Sequence, residues 1–132
     1  MIYKKSTAAW RKIGDREIYF RSLWEANFSK WLEYQKQSVM IKDWEHEPQT
    51  FWFESIKRGV RSYLPDFKVI NLEGDHYWVE VKGYYDSKSL TKIKRFNKYY
   101  PNESLRLIDA KWFASNNQKM RLIIPSWEFG GI

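Results

Sequence analysis

Two mainly apolar runs, from Tyr63 to Leu72 and from His76 to Tyr84, meet across Glu73-Gly74-Asp75, and no other feature constrains the chain as strongly. In Tyr77-Trp78-Val79-Glu80-Val81-Lys82 the side chains of an extended strand alternate between faces, so Glu80 and Lys82 share one face while Val79 and Val81 take the other. A hairpin follows, and its loop decides what lies opposite Glu80. A loop centred on Glu73 pairs Glu80 with Asp66; a tight Glu73-Gly74 turn pairs Asp66 with Val81 and sends its carboxylate to the wrong face. Gly74 is the residue that would allow the odd or bulged loop.

Around this hairpin the pattern predicts further elements. Gly14-Asp15 marks a turn, and Ile18-Tyr19-Phe20 a short strand, in an otherwise basic and mixed N-terminal stretch. From Arg21 to about Gln37 no Gly or Pro intervenes, Ser22 is placed to cap, and Leu23, Ala26, Trp31 and Tyr34 recur at roughly helical spacing. Met40 to Glu47 and Thr50 to Ser55 read as a hairpin broken at Pro48-Gln49. A second helix is expected from Ser87, as its N-cap, to about Tyr100, with Leu90, Ile93, Phe96, Asn97 and Tyr100 on one side and Pro101 just beyond. Ser104 to Ile108 reads as a strand, Ala110 to Asn117 as a short helix, and Met120 to Trp127 as extended. The expected fold class is α/β, a central mixed, largely antiparallel β-sheet flanked by helices, in one domain over 1–132.

Composition narrows the class. With 132 residues the chain is long enough for one core, and 43% hydrophobic against 30% charged residues argues for an ordered globule. Aromatic residues reach 19%, which either fill the core or leave some rings at a partner-facing surface. The net charge of +7 fits the electrostatic footprint of a nucleic-acid binder. With no cysteine there are no disulfides, thiolate nucleophiles or Cys-based zinc sites. The N-terminus lacks the apolar stretch of a signal peptide, and no run is long enough to span a membrane. A soluble, non-membrane, cytoplasmic protein is the expectation.

Phosphodiester hydrolysis needs charge neutralisation at the phosphate, a hydroxide near neutral pH, and a group that holds the attacking water. Carboxylate-bound Mg²⁺ supplies the first two, with Mn²⁺ able to substitute, and a neighbouring lysine the third. Asp66, Glu80 and Lys82 are such a kit if they share a face, and the backbone carbonyl of Val81 would lie close enough to be a further metal ligand. Each has an ordinary alternative: Glu-x-Lys as an exposed strand face, and Asp66 as a turn residue after Pro65. Two carboxylates so close would repel unless a cation lay between them. His46 and His76 lie thirty residues apart without a recognisable zinc-ligand pattern, and are expected to take no part in the chemistry.

Leu64-Pro65-Asp66-Phe67, thirteen residues between the acids, and Val79-Glu80-Val81-Lys82-Gly83 resemble the signature of the PD-(D/E)xK nuclease superfamily. From Tyr19 to about residue 100 the chain is similar to small phage nucleases of the endonuclease I and Holliday-junction-resolving type, with Trp44-Glu45-His46-Glu47-Pro48 and Lys57-Arg58-Gly59 adding to the likeness. The resemblance implies a restriction-endonuclease-like core and an acidic residue on the first helix, a place that Glu25 occupies. Glu25 also fits a capping box with Ser22, so both roles stay open. It further implies a Mg²⁺-dependent endonuclease acting on branched DNA such as a four-way junction, as a homodimer in the host cytoplasm. Glu25, Asp66 and Glu80 would surround the ion, with Lys82 beside the water.

Basic residues offer phosphate contacts. Lys88, Lys92 and Arg95 share one face of the second expected helix, while Arg58 and Arg61 precede the Asp66 strand and Arg21 opens the helix carrying Glu25. A solvated charged face is the alternative. A repair or restriction-type nuclease of the same core, and a DNA-binding module without catalysis, are the competing functions.

Overall fold

A computed structural model describes residues 8–129; Met1 to Thr7, the start of the basic N-terminal stretch, and residues 130–132 lie outside it. In chain order the elements are β1 (Ala9–Ile13), β2 (Arg16–Phe20), α1 (Leu23–Gln37), β3 (Asp43–His46), β4 (Phe51–Trp52), β5 (Ser62–Tyr63), β6 (Phe67–Ile70), β7 (His76–Val81), α2 (Ser87–Tyr99), β8 (Leu105–Ile108) and α3 (Ala110–Ile123). The fold is α/β, with a mixed four-stranded sheet in the order β3-β6-β7-β8 and two small two-stranded sheets, β1-β2 and β4-β5.

The central hairpin takes the odd loop. β6 and β7 pair with Phe67 opposite Val79 and Ile70 opposite His76, so Asp66, one step before β6, falls level with Glu80. The loop closes through an Asn71 N–H bond to the Asp75 carbonyl at 2.8 Å and an Asp75 N–H bond to Asn71 Oδ1 at 2.9 Å. Gly74 sits at φ +95°, a conformation that strains any residue with a Cβ, and this left-handed step sets the register.

β3 adds antiparallel to the free side of β6, and β8 adds parallel to β7, so α2 is the crossover that a parallel pair requires. The two faces of the sheet are covered differently. Val79 and Val81, with Trp44, Phe67 and Val69, pack under α1 and α3. Trp78 points the other way, into a second cluster with Phe51, Phe53, Tyr63 and Phe96 from the β4-β5 ribbon and α2. Glu80 shares that second face by alternation.

Three expectations are corrected. Met40 to Glu47 and Thr50 to Ser55 do not form a hairpin: β3 pairs with β6, and β4 with β5. The chain turns away at Glu47, at φ +46°, and Pro48 has no N–H to continue a ladder. Helix α3 continues through Met120, a buried core residue, and stops where Pro125 forces Ile124 out of the helical region; in place of the extended segment expected from Met120 to Trp127 the chain then turns, with the Trp127 N–H bonded to the Ile124 carbonyl at 3.0 Å. Helix α2 is capped by Asp86, whose side chain accepts the Ser89 N–H at 2.8 Å, rather than by Ser87. Along its expected apolar side only Phe96 is buried, and Leu90 is exposed, because α2 meets the second cluster through Phe96, Tyr99 and Tyr100 in its last turns.

The aromatic surplus divides: Trp44, Trp78, Phe53, Phe67, Phe96 and Phe113 fill the core, whereas Trp10, Trp52, Tyr84 and Phe129 are exposed. Among the described residues no helix is long and apolar enough to cross a membrane.

Candidate active site

The site lies at the end of the sheet where β3 and β7 finish and β6 begins. Asp66 is buried there, after the buried Pro65, and its Oδ2 accepts the Val81 N–H at 2.7 Å. That bond fixes the carboxylate against the neighbouring strand and leaves Oδ1 without a hydrogen-bond partner among the described residues. Glu80 is held from the other side, since its Oε1 accepts the Tyr63 hydroxyl at 2.6 Å. Lys82 stands one residue beyond β7, anchored by its N–H to the Ile108 carbonyl at 2.9 Å.

Glu25 arrives from a different layer, the first turn of α1. Ser22 caps that helix, its Oγ accepting the Glu25 N–H at 3.1 Å and donating its own proton to Glu25 Oε1 at 3.3 Å. Ser22 therefore does the capping with its hydroxyl, and the Glu25 carboxylate is turned inward. Gly83 permits the close approach of α1: a Cβ there would sit 3.2 Å from Trp24 Cζ3, and Trp24 is itself stacked on Phe113 at 4.6 Å.

Glu25, Asp66, Glu80 and Lys82, with Arg21 and Lys92, line one cavity of about 310 Å³. Val81 lines it too, its N–H committed to Asp66. The remaining expected DNA contacts do not reach this cavity. Arg58 and Lys88 are exposed elsewhere, Arg61 bonds Phe53 N–H through its carbonyl, and Arg95 donates to the Val60 carbonyl along a separate groove with Lys94 and Lys98.

The electrostatics are those of crowded acids. Burial first, then the charges of Glu80 and Glu25, push Asp66 well above the usual carboxylate range, against the pull of the Val81 N–H. Burial also raises Glu80, while the Tyr63 hydroxyl and the Lys82 ammonium hold it down. The phenols of Tyr63 and Tyr85 are pushed up, by burial and then by Glu80. A divalent cation would relieve this repulsion, and an all-oxygen carboxylate donor set suits a hard ion such as Mg²⁺.

Two neighbours were not legible as site residues. Tyr63 lies three positions before Asp66, where no spacing rule picks out a tyrosine. His46, expected to stand apart, places Nε2 at 3.7 Å from Glu25 Oε2. His76 does stand away from this end of the sheet, bonded to Glu103 at 2.9 Å. No family model, curated protein or solved structure matches the chain.

Proposed function

We propose that the chain is a divalent-metal-dependent endodeoxyribonuclease with a restriction-endonuclease-like core, of the PD-(D/E)xK kind, acting on branched DNA as a Holliday junction resolvase. The observation that carries this reading is the convergence of Glu25, Asp66, Glu80 and Lys82, from a helix and two strands, on one cavity. A non-catalytic DNA-binding module has no need to bury mutually repelling carboxylates beside a lysine.

In this reading Asp66 and Glu80 hold Mg²⁺, with Glu25 completing the acidic wall. The ion, when bound, supplies Lewis acidity at the phosphate and lowers the pKa of a coordinated water. Lys82 orients or deprotonates the attacking water and adds positive charge where the phosphorane-like charge develops. Lys92 and Arg21, on the cavity wall, neutralise the flanking phosphates without reading bases. Tyr63 positions Glu80. Symmetrical cutting of a junction needs two sites, hence a homodimer.

The test compares a four-way junction, a flap, a mismatch and a linear duplex, each with Mg²⁺ and with chelator. Paired nicks confined to the junction are expected. Equal cutting of linear duplex would replace the resolvase assignment by a repair or restriction-type nuclease, and no metal-dependent cutting of any substrate would leave only DNA binding.

A further inference from the structure

On the far side of Glu25 from Ser22, two buried polar atoms face each other without a hydrogen bond. Glu25 Oε2 and His46 Nε2 are both shielded from solvent and have no hydrogen-bond partner among the described residues, at a separation of 3.7 Å. Glu25 is more than nine-tenths buried, at 7% exposure, so its orphaned oxygen cannot be satisfied by bulk water. Leaving such a group without a hydrogen bond is costly, more so for a charged one, so two together call for a third party between them. The gap is too long for a hydrogen bond, whereas two ligands about 2.1 Å from a common ion stand about 3–4 Å apart. A third donor is in place: one carboxylate oxygen of Glu47 lies with a carboxylate oxygen of Glu25 and a ring nitrogen of His46 in a group whose ligand atoms are all within 4.8 Å of one another.

We propose that Glu25, His46 and Glu47 form a binding site for a transition-metal dication of the Mn²⁺, Co²⁺ or Zn²⁺ class, separate from the Asp66–Glu80 pair and sharing Glu25 with it. The imidazole sets the class: it suits these borderline ions, whereas Mg²⁺ prefers oxygen throughout. The His46 ring is fixed for the task, packed between Phe20 at 4.8 Å and Phe67 at 5.4 Å between centroids. Position is fixed as well. His46 ends β3 opposite Phe67, and the Glu47 N–H bonds the Asp66 carbonyl at 2.9 Å, so the same ladder that places Asp66 places both new ligands. Arg21 pairs with Glu47 Oε2 at 2.8 Å, which leaves the other Glu47 oxygen for the ion. The Arg21 side chain is 70% exposed, so this pair is a weak competitor for Glu47. One dication balances the two carboxylate charges of Glu25 and Glu47.

The site stands on this geometry and not on the nuclease reading, and its test uses binding rather than cleavage. Zn²⁺ is titrated calorimetrically into the full chain and into His46→Phe, which keeps the ring packing, Glu47→Gln, Asp66→Asn and His76→Gln; Co²⁺ absorption is recorded in parallel. The expected result is a Zn²⁺ site weakened at least tenfold by His46→Phe and by Glu47→Gln, and retained in Asp66→Asn and His76→Gln. The chain has 2 histidines, so imidazole NMR resonances separate them: Zn²⁺ should shift His46 and leave His76 in place. Should His46→Phe fail to fold, Glu47→Gln and the NMR signature decide. Zn²⁺ binding that survives both His46→Phe and Glu47→Gln, or is lost only in His76→Gln, overturns the proposal.

Discussion

Replacing Tyr63 by phenylalanine removes one oxygen from the candidate active site and nothing from the packing around it. The Tyr63 ring is buried at 3% exposure, edge-on to Phe96 at 5.4 Å, and phenylalanine fills that space. What is lost is the 2.6 Å bond from the hydroxyl to Glu80 Oε1. A short hydrogen bond to an ionised partner contributes about 1.5–3 kcal/mol. At about 1.4 kcal/mol per tenfold, the carboxylate form of Glu80 becomes roughly ten- to a hundredfold less favourable. That matches the about 10–100-fold cost typical of losing a group that orients a metal ligand. The direction with pH follows. The Tyr63 hydroxyl lowers the Glu80 pKa, so its loss raises it further, and a metal that needs the ionised carboxylate binds worse as the pH falls. Calorimetric Mg²⁺ titrations of wild type and Tyr63→Phe across a pH series should show a deficit that narrows as pH rises. An equal deficit at every pH, or none, would refute the role assigned to Tyr63.

Metal-free stability should carry the mark of Asp66. Its pKa is raised in the folded chain, so its contribution is fully present below the unfolded value near about 3.9 and is lost as pH climbs through the folded value. Thermal melts in chelator should therefore fall over that rise for wild type and fall less for Asp66→Asn. Added Mg²⁺ at about ten times its dissociation constant should raise the wild-type midpoint by about 4–7 °C, from roughly 1.4 kcal/mol of linkage, and leave the Asp66→Asn melt unmoved. Gly83→Ala should cost about 1–3 kcal/mol in denaturant melts, because the new methyl meets Trp24 at 3.2 Å, and should weaken metal binding by pushing Glu25 outward. Phe96→Ala should cost about 3–5 kcal/mol by emptying the second cluster that holds Tyr63 in place.

What the sequence made legible was local. The alternation through Tyr77 to Lys82 and the single Gly74 were enough to narrow the position of Asp66 to two registers, and the structure takes the one centred on Glu73. The capping serine of α1 could likewise be read from its neighbours. Pairing partners could not be, because β3 reaches β6 across the intervening residues 47–66 and local spacing carries no record of that choice. The same holds for α3: Asn116 and Asn117 look like an ending, but burial of Met120 and Trp127 outweighs their weak helix propensity, and the stop comes at Pro125. Tyr63 and His46 escaped for a related reason. Each enters the site through a tertiary neighbour, Glu80 for one and Glu25 for the other, and isolated residues of either type carry no spacing signal.

The most direct test of the central claim is cleavage of a labelled four-way junction by wild type, Asp66→Asn and Glu80→Gln in Mg²⁺, with junction binding measured on the same preparations. Metal-dependent cutting by wild type is expected, with cleavage abolished and binding retained in both variants. Cutting that persists in Asp66→Asn and Glu80→Gln would contradict the account.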